Sequence, residues 1–331
     1  MTRILPMTTT TSPRRVRDLD IDAVPAGTRE RLWIELLSSA PASSIPATVE
    51  RGAEPGPVIG VVAAVHGDEL NGVAVAHALA RGSAFGRLKR GALVTVPLVN
   101  LPGVMRNDRR FPDGQDLNRS MAGPETGKPS QRFGARFVAR VASKLDYLVD
   151  LHTATTHYDN SVYARVDMRN EGNLELARAL SPPIIVHKAA PSGSLRGAVN
   201  AAGGRGVTVE LGPPSAYHDA AIDETLAGVV RLLHELDMLD GDAPPASPSR
   251  EMKSGKWLRA DRGGLTDVLV RPGQPVEKGE PLAHITDWWG DPVQQLTAPA
   301  NGVVLGTLRR PLVLEGTRIV HLAVDTNEPS D

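Results

Sequence analysis

Residues 58–69 read VIGVVAAVHGDE. The aliphatic run that opens this stretch is the pattern of a strand buried on both faces. It stops at His66-Gly67-Asp68-Glu69, and a helix-like segment follows at 72–80. A buried strand that ends in polar residues before a helix is the repeating unit of an α/β sheet. In such sheets ligands gather at the carboxyl ends of the strands. Further strands are expected at 92–97, 147–151, 184–187 and 206–211, and helices at 131–144 and 219–239. The first of these helices carries Phe133, Phe137, Val138 and Val141 at helical spacing. Between the second and third strands, residues 100–129 are rich in Gly, Pro, Asn, Asp and Arg. A loop this long inside a domain is functional or disordered. Strands alternating with helices predict an α/β sheet covered on both faces.

Composition bounds the rest. The chain has 331 residues, room for about two domains. Lys and Arg total 37 against 38 Asp and Glu, a formal net charge of −1. That balance offers no global attraction to nucleic acid or to an anionic membrane. Cysteine is absent, which rules out disulfides, thiolate nucleophiles and Cys-ligated zinc and fits a cytoplasmic protein. Any metal site must therefore use His and carboxylates. No apolar run approaches the roughly 18–20 residues of a membrane helix. Residues 1–20 are polar and Thr-rich and read as a flexible tail. Arg14 and Arg15 are followed by acidic, polar sequence rather than the apolar core of a signal peptide. Residues 21–239 form the α/β domain. The Pro/Ser/Asp-rich sequence at 240–250 opens a linker extending to 255. Residues 256–331 have short alternating runs between Gly/Pro turns, the pattern of an all-β domain.

Four segments carry chemistry. His66 and Glu69, three apart across a strand-to-helix turn, can bring a nitrogen and an oxygen to one metal. The bland alternative is a structural histidine beside an acid favoured by a helix N-terminus. Asp150-Leu-His152-Thr153 ends another aliphatic strand. His152 could complete a two-His, one-carboxylate set with a position left for water, and Asp150 could orient a ligand. Asp116-Leu-Asn118-Arg119, preceded by Arg109 and Arg110, suits an anionic substrate or a developing oxyanion, since Arg binds carboxylates through two parallel hydrogen bonds. Each of these residues taken singly could be a surface charge. Glu210 ends the apolar VTVE strand. A carboxylate there is costly unless paired or neutral, so it is either a general base or half of an ion pair with an arginine.

Taken together, HGDE, NLPGVMRNDRRFPDGQDLNR, DLHT and VELG resemble the succinylglutamate desuccinylase/aspartoacylase family over residues 45–325. The resemblance implies a zinc-carboxypeptidase-like mixed sheet flanked by helices. It implies one zinc per chain on His66, Glu69 and His152, with Glu210 as general acid/base. It gives Arg109 the polarisation of the scissile carbonyl, and Asn118 and Arg119 the substrate carboxylate. Arg196 is the candidate for a further specificity arginine. His157, Tyr158 and Asn160 are candidates to line the pocket, and the other histidines are read as structural. Residues 263–306 are similar to a biotinyl/lipoyl-like barrel-sandwich fold. No lysine stands between 285 and 293, where a carrier would present one, so a carrier role is not expected; the family resemblance instead implies a C-terminal domain that packs near the catalytic cleft and limits access. The expected activity is zinc-dependent hydrolysis of a small anionic amide such as an N-acyl amino acid. A zinc carboxypeptidase acting on short peptides is the alternative, and a binding protein without turnover would not need Glu210. Neither nucleic acid nor membrane is an expected partner, and a homo-oligomer stays open.

Overall fold

In the computed structural model, which describes residues 12–38, 44–82 and 84–325, the aliphatic run lies near the middle of a ten-stranded mixed sheet formed among the described residues. In chain order the elements are β1 (Arg14–Val16), β2 (Arg29–Glu35), β3 (Ser44–Arg51), β4 (Glu54–Ala63), α1 (Asn71–Arg81), β5 (Arg90–Val96), α2 (Leu101–Arg106), α3 (Pro129–Arg140) and β6 (Tyr147–His152). They continue through β7 (Tyr158–Asn160), β8 (Val162–Val166), α4 (Glu171–Leu180), β9 (Ile184–His187), α5 (Leu195–Ala201), β10 (Arg205–Leu211), α6 (Asp219–Glu235) and β11 (Arg250–Met252). The sheet order is β1-β2-β3-β5-β4-β6-β10-β8-β9-β11.

Alternation along the strands sorts the core. Ile59, Val61, Val149, Leu151, Val207 and Val209 pack on one face with residues of α1, α4 and α6. Val62, Val94 and Leu148 pack on the other with Phe133 and Phe137 of α3 and Leu195 and Val199 of α5. The aliphatic strand is therefore buried on both faces, as its sequence requires. Local signals place the helices: Ser194 caps α5 by accepting from the Gly197 amide at 3.1 Å, and α1 stops at Gly82, φ 66°. No helix among the described residues is long and apolar enough to cross a membrane.

After β11 come β12 (Ser254–Arg259), β13 (Gly264–Val268), β14 (Pro275–Val276), β15 (Pro281–Thr286), β16 (Pro292–Thr297), β17 (Gly302–Leu308), β18 (Leu312–Val313) and β19 (Arg318–Val324). They form two antiparallel sheets with a core of their own.

The structure revises several boundaries. Residues 1–11 of the expected tail lie outside the described residues, but Arg14–Val16 pair with β2 and Leu19 is buried. The presumed linker contains β11, which extends the large sheet beside β9. The long loop contains α2, and the expected final helix ends at Glu235. β7 leaves the α/β layer and pairs with β17.

Candidate active site

Three neighbouring strands build the floor. β6 and β10 run parallel, with Asp150 beside Thr208 and His152 beside Glu210. β8 runs antiparallel to β10, with Tyr163 beside Glu210 and Arg165 beside Thr208. Registered partners share a face and alternate residues repeat it. All six side chains therefore rise from the side that Leu148 faces, so the site begins where the apolar face of β6 ends.

β4 delivers the remaining donors. The chain turns at Ala64, φ 51°, a left-handed conformation that a non-glycine residue seldom takes. His66 follows, and Glu69 stands just before α1, where the helix N-terminus favours a carboxylate. Gly67 allows this turn to pack against the long loop, because a Cβ there would lie 2.2 Å from the Gly103 carbonyl carbon and 2.4 Å from the Asp108 oxygen.

Nδ1 of His66 lies 2.8 Å from Glu69 Oε1, and Nδ1 of His152 lies 2.8 Å from Oε2. The three buried residues offer ligand atoms within 4.8 Å of one another and could hold a metal ion. The outer Nε2 atoms face carboxylates, His66 with Asp116 Oδ1 at 3.0 Å and His152 with Asp150 Oδ2 at 3.0 Å. Imidazoles turned toward one carboxylate, each backed by another, fit a divalent metal site. Burial works against charge on His152, but Asp150 and Glu69 override it and push its pKa up to about 10. Burial also opposes ionisation of Glu69, yet the two histidines hold its carboxyl well below the usual range. The trio thus attracts positive charge to its centre.

The arginine-rich loop closes on this trio. Arg109 donates to Glu69 Oε1 at 2.6 Å and to Asp116 Oδ2 at 3.4 Å. Asp116 also accepts from the Asn118 amide at 2.8 Å, so one carboxylate ties His66, Arg109 and the DLNR turn together. Burial opposes its ionisation, while His66, Arg109 and Arg119 lower its pKa. Asn118 spends its side chain inside the protein: Nδ2 is 3.2 Å from His152 Nε2, and Oδ1 accepts from the Leu195 amide at 2.8 Å. These contacts tie Asn118, which also lines the cleft, to both His152 and α5. Arg119 is exposed in the cleft and donates to the Asn118 carbonyl at 2.7 Å.

Glu210 is 4% exposed. The Arg165 guanidinium pairs with Oε1, and Asn160 donates to Oε2 at 3.2 Å. It has both the ion pair and the cavity position between which its sequence could not choose. The metal-type trio, Arg109, Arg119 and Glu210 line one chamber of about 240 Å³. The C-terminal strands close it with Trp257, Arg318 and His321. His321 stacks on Trp257 at 4.6 Å and 7°. Tyr158 and Asn160 line this chamber, while His157 is exposed. Arg196 is buried beyond it and donates to the Arg165 carbonyl at 2.9 Å.

Arg165, Trp257, Arg318 and His321 were not anticipated as site residues. An arginine inside the apolar VYARV segment was the one local signal. The others reach the cleft through pairing between distant strands.

The chain is 25% identical over 259 residues to N-alpha-acetyl-L-2,4-diaminobutyric acid deacetylase of Halomonas elongata, covering 73% of this chain and 74% of that one. Its fold is similar to a succinylglutamate desuccinylase/aspartoacylase from Rhodobacter sphaeroides, with a TM-score of 0.81 at 24% identity over 94% of this chain and 98% of the other. It is also similar to the product-bound ectoine utilization protein EutE (DoeB) from Ruegeria pomeroyi, with a TM-score of 0.79 at 23% identity over 91% and 97%. Residues 55–236, which carry all four motifs, match the succinylglutamate desuccinylase/aspartoacylase catalytic domain, and the chain belongs to the succinylglutamate desuccinylase/aspartoacylase family.

Proposed function

We propose that the protein is a zinc-dependent amide hydrolase that deacylates a small N-acyl amino acid or a related carboxylate-bearing amide. The observation that carries this reading is the buried His66–Glu69–His152 donor set, open to one cavity with Glu210 beside it. One zinc per chain would be held by these three residues; when bound, it polarises water and the scissile carbonyl as a Lewis acid. Glu210 takes a proton from water and returns it to the leaving amine, its carboxylate oriented by Arg165 and Asn160. Arg109 donates to the negative charge that develops on the carbonyl oxygen. Arg119 receives the substrate carboxylate, Asn118 keeps His152 in position, and Arg196 adds positive charge deeper in the cleft. The C-terminal sheets, which we read as barrel-sandwich-like, wall the cleft. The named activity of the Halomonas elongata relative supports deacylation. A chamber of about 240 Å³ under Trp257 and His321 suits a small amide better than a peptide, which ranks a carboxypeptidase second.

The test is a screen of chelator-stripped and zinc-reloaded protein against N-acetyl amino acids, N-succinyl amino acids and blocked dipeptides, following amine release. Turnover should require the metal and favour the N-acyl amino acids, and His152→Ala should fail to retain zinc. Undiminished turnover without metal, or near-stoichiometric zinc in His152→Ala, would overturn the assignment. A preference for the dipeptides would make the protein a carboxypeptidase.

A further inference from the structure

Where a carrier domain would present its lysine, the turn between β15 and β16 reads Asp287-Trp288-Trp289-Gly290-Asp291. Both rings stand out in solvent, Trp288 65% and Trp289 84% exposed, and neither lines the cleft. The turn is pinned from within. Asp287 Oδ1 accepts from the Trp289 amide at 2.9 Å and from the Asp291 amide at 3.0 Å, and Gly290 takes the left-handed position at φ 90°. Two large apolar rings are thus held in water by a built turn, at a cost that burial against another surface would remove.

The sheet beneath the tip continues the apolar surface. Its strand order is β16-β15-β13-β18. Its inner face packs Leu282, Ile285 and Val313 against Val304, Val320 and Leu322 of the other C-terminal sheet. That other sheet turns Val303, Leu305 and Ala323 to the α/β layer, so the outer face of the first points away from the rest of the chain. At the hairpin end this face carries a rung without charge. Leu265 pairs with Leu312 on one side and with Thr286 on the other, and Thr286 pairs with Pro292. Leu265 and Leu312 are exposed, as is Leu314, which alternation puts on the same face as Leu312. The next rung, Asp267, His284 and Gln295, is polar. The apolar surface is therefore gathered at one end of the sheet, beside the tryptophan turn.

We propose that this face is a dimer interface between two copies of the chain, in which Trp288 and Trp289 of each copy pack on Leu265, Leu312 and Leu314 of the other. Charge on the face is arranged for such a pairing. Asp287 and Asp291 flank the tryptophans. On the leucine side Arg262, Arg309 and Arg310, all exposed, outnumber Asp261 and Glu315, and Asp261 already accepts from Gln294 Nε2 at 2.8 Å. A protruding acidic tip beside a basic-rimmed apolar rung complements itself about a two-fold axis, since each tip meets the other copy's leucines and arginines. The area also suffices. Rings of roughly 150–250 Å² each, exposed to this extent on both copies and joined by the leucines, reach the total of about 1,000 Å² that a specific interface clears. An anionic membrane would instead be repelled by the two acids at the tip. The inference does not depend on what the cleft hydrolyses.

Sedimentation equilibrium of the full chain tests this. The wild type should be a dimer with a micromolar or tighter Kd. Replacing both rings, Trp288→Ser with Trp289→Ser, should raise that Kd by at least about 100-fold, as loss of central tryptophans does, while far-UV circular dichroism stays native. A charge exchange leaves the apolar surface untouched and decides the matter if the serine variant misfolds. Asp291→Arg should weaken the dimer by about tenfold, and adding Arg310→Asp should bring Kd back to within about threefold of wild type. That restoration requires the acid of one copy to face the arginine of the other. A wild type that is monomeric at about 100 µM, or a dimer that neither the serine variant nor Asp291→Arg weakens, would overturn the interface. Failure of Arg310→Asp to restore the Asp291→Arg dimer would overturn the packing of tip on leucines. Vesicles of phosphatidylcholine and phosphatidylglycerol test the other occupant. A monomeric wild type whose tryptophan fluorescence shifts to the blue on these vesicles, with the shift lost in the serine variant, would make the face a membrane contact and overturn the dimer.

Discussion

Glu210→Gln preserves the side chain's size and leaves an acceptor for the Asn160 amide, but it removes the proton acceptor. It should retain zinc and the fold, with a lowered melting temperature because Arg165 loses its counterion, while kcat falls by about 10²–10⁴-fold. A zinc-replete variant within about tenfold of wild-type kcat would reduce Glu210 to an anchor for Arg165. His321 makes a different prediction. Its pKa falls from 6.5 to about 3 on folding because of burial and then three neighbouring cations. Between those values the unfolded chain binds a proton that the folded chain refuses. The stability this neutral histidine allows is therefore complete above pH 6.5 and is lost as pH falls toward 3, with a slope of at most about 1.4 kcal/mol per pH unit. His321→Phe keeps an aromatic ring against Trp257 and should flatten that part of the acid-denaturation curve. An unchanged slope would mean that His321 is protonated in the folded chain. Neither result depends on which substrate is turned over.

At the scale of elements, the site depends on how the loop between β5 and α3 lies against the end of β4. Both backbones come together at Gly67, where a Cβ would strike the Gly103 carbonyl carbon and the Asp108 oxygen. Backbone atoms cannot swing aside as a flexible side chain can, so Gly67→Ala must displace the segment that carries Arg109 and Asp116. A displacement near 1 Å in a catalytic constellation costs on the order of 10²-fold. The variant should lose about that much kcat/KM while its far-UV circular dichroism stays native; near-normal activity would show that the loop adapts. The same elements explain how much of the site was legible. His66, Glu69, His152 and Glu210 each stood at the end of an aliphatic strand, a local pattern. The two arrangements of Glu210 could not be separated because its partner Arg165 lies on β8, a strand with no clear boundary signal in the sequence.

For the whole molecule, the C-terminal strands are continuous with the α/β layer. Tyr163, Ile184 and Val186 share a buried cluster with Met252, Val303, Leu305 and Ala323, and β7 pairs with β17. A chain stopped near Arg250 would expose that cluster and leave β7 without its partner, in contrast to the independent module that the Pro/Ser-rich segment suggests. At about 25 cal/mol for each Å² of apolar surface exposed, losing an interface of this kind is a large fraction of the usual 5–15 kcal/mol of stability. The truncated protein should aggregate on expression, or melt at least about 10 °C lower if soluble. A soluble monomer with an unchanged melting temperature would restore the independent module.

The α/β class, the catalytic order of motifs and the metal-type trio are written in the sequence itself, because buried strands force continuous aliphatic runs and leave polar residues only where those runs end. Tertiary structure alone decided that Arg165 grips Glu210, that Asn118 braces His152, and that Trp257, Arg318 and His321 close a cleft whose floor lies in another layer. These contacts join residues far apart in the chain, and their geometry follows from strand order and register, which no local pattern of side chains encodes.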